Sequence, residues 1–373
     1  MKPNNPFILA GYISPKYFCN RNHESGKMIS ALENGRNITL FSIRRLGKTG
    51  LIDHVFYKLH RQKNYYLIYL DILPTTNLND FINTFAKAVI SKLETKPERI
   101  LKKFGELFIS LRPTITFDPI TGLPNIQFKF ETEKETTQTL GQIFKYIKNQ
   151  KKHIVIAIDE FQQITKYPEK NIEAILRANI QKSTNTTFIF SGSYEHILLS
   201  MFSDYGRPFY QSTELHLLEK IKEEYYIKFI KSKFEKSGKQ IKEDQVERIL
   251  EITRIHTYYV QFLCNRLYGL SERLITNDII GKTLLEILNE NEVVYINYRN
   301  LLTGSQWKLL EAIAKEGSAT KLLSKEFIQN NKLSAASSVQ TALSALMNKE
   351  MIYREGDFYY VYDVFMERWL ERL

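Results

Sequence analysis

Through the first part of the chain, apolar residues come in short runs bounded by polar turns. Ile38–Ser42 reads as a buried strand, followed by a glycine-containing turn and a helix that begins at Lys48. Tyr65–Asp71 is a second run that ends in an acid, His153–Asp159 a third, Thr186–Ser191 a fourth and Glu214–Leu217 a short fifth. Between them the spacing becomes helical. Phe81, Phe85, Val89 and Leu93 share one face of Leu78–Leu93, and Ile172–Gln181 repeats the pattern. Strands alternating with helices predict βαβ units and a parallel sheet. Pro113–Phe117 and Asn125–Phe130 break the alternation, with period-two spacing around Asp118-Pro119 and Thr121-Gly122. They predict a β-hairpin inserted at the sheet's edge near residues 113–130.

Past Leu218 the strand signals give way to helical spacing over Glu219–Phe234, Lys242–Thr253, Tyr258–Leu274 and Thr276–Leu301. After Thr303 come three more helices, Gln306–Lys315, Ser324–Asn330 and Ala335–Lys349. Met351–Tyr362 then folds back around Glu355-Gly356-Asp357, and three helices with a hairpin predict a winged helix. The expected organisation is an α/β core over 1–217, a helical domain over 218–301 and a winged helix over 302–373.

Composition narrows the class. With 373 residues, 43% hydrophobic and 25% charged, the chain has the balance of a globular protein of two or three domains. Cys19 and Cys264 show no pairing or ligand pattern, so a reducing, cytoplasmic setting is expected. Met1–Pro6 is polar, and the apolar run Ile154–Ile158 is far too short to cross a bilayer, so no membrane partner is expected. The net charge of +11 suits a polyanionic partner such as a nucleotide or nucleic acid. General lysine richness in a chain full of Lys, Ile, Asn and Tyr gives the same number, so charge does not choose between them.

The chemistry concentrates at two strand ends. Ser42-Ile43-Arg44-Arg45-Leu46-Gly47-Lys48-Thr49 follows the P-loop pattern, with Ser42 where the first glycine usually stands. A loop between strand and helix turns backbone N–H groups toward phosphate oxygens, and the helix start adds partial positive charge. Gly47 allows close approach, Lys48 is placed to reach the β- and γ-phosphates, and the Thr49 hydroxyl to ligate Mg²⁺. Ile154–Ile158 followed by Asp159-Glu160 is a Walker B pattern: Asp159 would hold Mg²⁺ and Glu160 polarise a water as general base. Ser191, at the end of the fourth strand, is either a contact to the γ-phosphate or lytic water, or part of an ordinary Ser-Gly turn.

These residues, in this order, resemble the archaeal-type ATPases in the STAND branch of the AAA+ P-loop NTPases. The resemblance rests on Phe18, Arg21 and Glu24, on Arg44-Arg45 within the loop, and on Asp159-Glu160-Phe161-Gln162. Gly192-Ser193, Arg207-Pro208-Phe209-Tyr210, His256–Gln261 and the winged helix extend it over nearly the whole chain. It implies an ATP-hydrolysing switch with ATP or ADP and Mg²⁺ as ligands and a core sheet of order 5-1-4-3-2. In that frame Arg44, Arg45, Leu46 and Gly50 join Gly47, Lys48 and Thr49 around the phosphates, Arg21 and Glu24 lie in the entry segment that lines the adenine side, and Phe18 is a packing residue or a wall against the adenine ring. His256 lies where the helical domain reaches back to the phosphates, or is a packing residue. Arg207 is an arginine finger, acting on a neighbouring subunit if the chain forms a homo-oligomer, or a structural ion pair. The sequence departs from the family's pattern at Ser42, at Gly50, where serine is commoner, and at His256-Thr257, where a Gly-His-Pro run is commoner. A nucleotide-holding module without turnover, and a DNA-binding regulator, are the alternatives. For the last, Ser337, Ser338, Gln340, Thr341 and Ser344 would face outward from the third winged-helix helix, but only Lys332 and Lys349 flank it. Phosphate contacts need Lys or Arg, so packing on the ATPase core or a protein partner is expected ahead of DNA.

Overall fold

Runs of β-branched and aromatic residues build one parallel sheet in the first half of the chain. The computed structural model describes residues 3–94, 99, 114–117, 124–127, 132–193 and 195–373. They form two compact units, one of residues 11–219, the other of residues 220–373 together with 1–10. In chain order the strands of the first unit are β1 (Ile38–Phe41), β2 (Tyr65–Asp71), β3 (Thr114–Phe117), β4 (Pro124–Gln127), β5 (His153–Asp159), β6 (Thr186–Gly192) and β7 (Glu214–Leu217). All but β3 and β4 join one sheet of order β2-β5-β6-β1-β7, and every pairing in it is parallel. With the hairpin strands left out of the count, this is the expected 5-1-4-3-2 order. β3 and β4 pair antiparallel as a separate two-stranded sheet. The rest of the expected hairpin, Pro113, residues 118–123 and residues 128–130, lies outside the described residues.

The helices of this unit are α1 (Asn22–Glu33), α2 (Lys48–His60), α3 (Leu78–Leu93), α4 (Glu133–Lys148), α5 (Ile172–Gln181) and α6 (Glu195–Ser203). They cover both faces of the sheet, which is why β5 reads as an unbroken apolar run. Val155 and Ala157 face a core shared with Met28 and Leu32 of α1 and Leu51 and Val55 of α2. Ile154, Ile156 and Ile158 point the other way, into a core with Phe81 and Phe85 of α3, Ile143 and Ile147 of α4 and Leu176 of α5. With both faces covered, β5 can offer polar chemistry only at its end, where Asp159 stands, itself buried.

The second unit is built from α7 (Glu223–Glu235), β8 (Gln240–Ile241), α8 (Glu243–Ile252), α9 (Thr257–Gly269), β9 (Leu274–Ile275), α10 (Asn277–Leu301), α11 (Gly304–Glu316), α12 (Lys325–Asn330), α13 (Ala336–Asn348), β10 (Ile352–Glu355), β11 (Phe358–Val361) and α14 (Val364–Leu370). The winged helix is present. One boundary differs from expectation: α9 ends at Gly269 and not at Leu274, because Leu274 and Ile275 pair with Gln240 and Ile241 as short parallel strands. The buried Phe7 packs against Phe229, Phe234 and Tyr268; Asn5 Nδ2 donates to the Asn265 carbonyl and Asn265 Nδ2 to the Phe7 carbonyl, which holds the segment there. Trp307 and Trp369, both buried, meet edge to face at 6.2 Å. No described helix is long and apolar enough to cross a membrane.

One polar cluster ties the winged helix to the turn between α8 and α9. Arg254 and Ile255 both take the left-handed conformation, with φ of 47° and 57°, an unfavourable state for a β-branched residue. Arg254 donates to Glu367 Oε1 at 3.0 Å and to the Val361 carbonyl at 2.6 Å. Arg368 donates to Glu367 Oε2 and, through Nε, to the Ile252 carbonyl at the end of α8. Glu367 has no exposed surface, and burial pushes its carboxyl up to about 7 against the opposing pull of the two guanidiniums. The folded state therefore holds a proton on Glu367 more tightly than the unfolded chain does. The corresponding stability is fully present below the ordinary carboxyl range and is lost as pH rises through about 7. Urea unfolding followed between about pH 5 and 8 should show wild type losing stability relative to Glu367→Gln as pH rises, because the amide does not titrate. A constant difference between the two proteins across that range would contradict the assignment.

Candidate functional site

The loop after β1 is shaped for an anion. Gly47 takes φ 93° and Arg45 φ 67°, so the left-handed turns fall on these two positions. Ser42 needs no positive φ, which is why serine can replace the usual glycine. Its hydroxyl donates to the Ile43 carbonyl at 2.7 Å, and its carbonyl and hydroxyl oxygens both receive Lys48 Nζ at 3.3 Å. α2 begins at Lys48 with no side-chain cap and no acid in its first turn. Lys48 is itself buried. A cation buried at the positive end of a helix is unfavourable unless an anion shares the site. Phosphate satisfies the helix amides and the ammonium together.

Opposite the loop, Asp159 collects four donors. Thr49 Oγ1 at 2.9 Å and the Tyr69 phenol at 2.8 Å both donate to Oδ2. Ser191 Oγ at 2.5 Å and the Glu160 amide at 3.1 Å donate to Oδ1. Thr49 has thus turned its proton to Asp159 and kept its lone pairs for another partner, the arrangement a metal-ligating hydroxyl requires. The surplus of negative charge is felt nearby. Burial and then Asp159 push the Asp53 carboxyl up. At Asp71 burial, with Asp159 and Glu160 behind it, raises the carboxyl against the opposing Leu73 amide. A divalent cation would relieve this surplus, so Thr49 and Asp159 fit Mg²⁺.

Glu160, in the left-handed conformation at φ 55°, is held separately. Ser193 Oγ lies 2.9 Å from both of its carboxylate oxygens, and Gln162 Nε2 donates to Oε2 at 2.5 Å. Arg44 Nε reaches Ser193 Oγ at 3.2 Å, so the phosphate loop touches the residue that holds the candidate base. Gln162 is buried under Gly192, where an added Cβ would come within 2.0 Å of its Oε1. That close approach accounts for glycine at the end of β6.

The remaining expected residues have definite places. Arg45 is exposed and Leu46 buried. The Leu46 carbonyl lies 3.4 Å from Nη2 of the buried Arg21, whose Nη1 pairs with Glu24 at 2.7 Å. Phe18 stacks on His54 at 4.5 Å, and its ring edge would lie 3.5 Å from a Cβ at position 50. Gly50 is therefore not sterically obligatory. Arg207 pairs with Glu173 of α5 at 2.7 Å. His256 belongs to the second unit, where it is buried at the start of α9 with Nε2 3.3 Å from the Tyr353 hydroxyl. Ser191 Oγ donates to Asp159 Oδ1.

Sequence reasoning missed Tyr69, Gln162 and Ser193 as functional contacts, and His54 as the support of Phe18. His54 is buried, bonded through Nδ1 to the Tyr12 hydroxyl at 2.8 Å, and burial pulls its pKa down to about 4. Gln162 and Ser193 stood inside recognised motifs, and Tyr69 lies two residues before the acid that ends β2, on a strand that neighbours β5.

Residues 18–260 match the family model described as an ATPase domain predominantly from Archaea, and residues 293–372 match one described as "Probable winged helix domain". No curated protein matches the chain. Among solved structures, a Walker-type ATPase of Pyrococcus abyssi aligns over 99% of this chain and 100% of its own, with 17% identity and a TM-score of 0.66. The ORC2 protein of Aeropyrum pernix, solved as ADPNP-ADP complexes, aligns over 100% of this chain and 96% of its own, with 14% identity and a TM-score of 0.60. The ORC1 protein of Aeropyrum pernix, in complex with DNA, aligns over 99% of this chain and 96% of its own, with 13% identity and a TM-score of 0.54.

The packing of Gln162 against Gly192 is testable by itself. Gly192→Ala should destabilise the chain by about 1–3 kcal/mol, as overpacking of a filled site does. Adding Gln162→Ala should recover most of that loss, a coupling that a double-mutant cycle in urea would read. Additive losses would show that the two side chains do not compete for the same space.

Proposed function

The chain belongs to the family of ATPase domains found predominantly in Archaea, and on that premise we propose that it binds ATP with Mg²⁺ and hydrolyses it. The observation that carries this reading is the Thr49 hydroxyl donating to Asp159 beside the buried Lys48. Phosphates on the first turn of α2 would meet the helix amides and the Lys48 ammonium, which stabilise the charge that builds on the transferred phosphoryl group. Thr49 and Asp159 would hold the Mg²⁺, which when bound supplies neutralising charge between the phosphates. Glu160 orients the attacking water and accepts its proton. Ser193 and Gln162 limit where that carboxylate can point. Because Arg44 contacts Ser193, phosphate arriving at the loop and the placing of the base are linked, which suits a switch. Arg207, paired with Glu173, would have to leave that partner to serve a neighbouring subunit.

For the winged helix we favour a protein partner over DNA. The outer face of α13 presents Ser337, Ser338, Gln340, Thr341 and Ser344, and the helix itself contains no Lys or Arg. Phosphate contacts would have to come from elsewhere.

Two substitutions separate binding from turnover. Lys48→Ala should abolish hydrolysis and strongly weaken nucleotide binding, measured with a fluorescent ATP analogue; wild-type turnover in this variant would place the chemistry elsewhere. Glu160→Gln should retain ATP while turnover falls about 10²- to 10⁴-fold, the range typical of a lost general base. Equal losses of affinity and rate would make Glu160 structural.

A further inference from the structure

Asp159 has more partners than a metal-holding acid can keep. An ionised carboxylate offers about four lone-pair sites, and Thr49, Tyr69, Ser191 and the Glu160 amide supply four donors. A fifth donor, such as water on a bound metal ion, can reach this carboxylate only if one of the four withdraws.

The four are not equally able to do so. The Glu160 amide belongs to the next residue in the chain and is fixed by the backbone. Ser191 is 0% exposed, enclosed in the strand beside β5. Thr49 must stay, because its bond to Asp159 is what turns its lone pairs outward. Tyr69 is 36% exposed and stands on β2, an edge strand of the sheet. A phenol there can rotate into solvent without disturbing the core. A phenol is a protonated donor at neutral pH, so it competes for the carboxylate.

We propose that Tyr69 is a displaceable occupant of Asp159: its hydroxyl holds the carboxylate lone pair that water on a nucleotide-bound Mg²⁺ takes over, so the phenol and the metal compete for one site. The inference rests on the reading of Asp159 as a metal-holding acid. Tyr69 is thereby a positioning residue that sets how much Mg²⁺ the site requires. A purely supporting tyrosine and a competing one have opposite signatures, since losing a support weakens the metal and losing a competitor strengthens it.

The test uses the full chain, wild type and Tyr69→Phe, with a fluorescent ATP analogue at fixed concentration and Mg²⁺ titrated from an EDTA-buffered start. Tyr69→Phe should lower the half-saturating Mg²⁺ concentration by about three- to tenfold, the worth of one net hydrogen bond, while analogue binding in EDTA stays within about twofold. In wild type, adding Mg²⁺ to the nucleotide complex should give a near-ultraviolet tyrosine difference signal that Tyr69→Phe lacks. An unchanged or higher Mg²⁺ requirement in Tyr69→Phe would overturn the proposal and make the tyrosine a support. A wild type that binds the analogue with no dependence on Mg²⁺ would overturn the reading of Asp159 itself, and this inference with it.

Discussion

A carboxylate at the end of a strand buried on both faces cannot be left to solvent, and the organisation of the first unit follows from that constraint. β5 is enclosed by helices on both sides, so Asp159 emerges among other elements' ends. Its donors come from the start of α2, from β2 and from β6, the elements that flank it. The same geometry brings Lys48 and the uncapped start of α2 opposite the acids. Attraction between these groups is strong in a half-buried site and weak in water, so the fold makes the electrostatics as much as it tolerates them. Burial first, and the neighbouring acids after it, push the carboxyls of Asp53 and Asp71 up.

Much of this was legible in the sequence because two strong signals coincided. Apolar runs ending in polar residues located β1, β2, β5 and β6, the short alternating segment Glu214–Leu217 marked β7, and the loop pattern located Lys48 and Thr49. Burial on both faces makes a strand such as β5 easy to find, because no polar position interrupts Ile154–Ile158. Tyr69 escaped for the opposite reason. A tyrosine in a strand carries an ordinary β-preference, and nothing in its local spacing tells that its hydroxyl crosses to the neighbouring strand's acid. Gln162 and Ser193 were visible as motif members but not as contacts, since their meeting at Glu160 depends on a left-handed residue and on the missing Cβ of Gly192.

In the second unit the boundaries were harder to read. Helical spacing continued through Leu270–Leu274, where a two-residue pairing with Gln240–Ile241 takes over the chain. α14 is only seven residues long, too short for periodicity to speak. Yet it carries Glu367 and Arg368, which anchor the winged helix to the end of α8 and the turn after it, and Trp369, which packs on Tyr295 of α10. The left-handed Arg254 and Ile255 had no sequence signal at all, since neither residue type prefers that conformation. Tertiary bonds to Arg254 hold it there.

The burial of Phe7 bears on the order in which the protein is made. Its partners Phe229, Phe234 and Tyr268 are encoded more than two hundred positions later. At ribosomal rates of about 5–20 residues per second, this segment waits roughly ten seconds or more for its hydrophobic pocket to be synthesised. The entire first unit, residues 11–219, emerges in that interval. An apolar ring therefore stays without its partners on the nascent chain until residues 229–268 have been made, and the second unit cannot complete this part of its core before then.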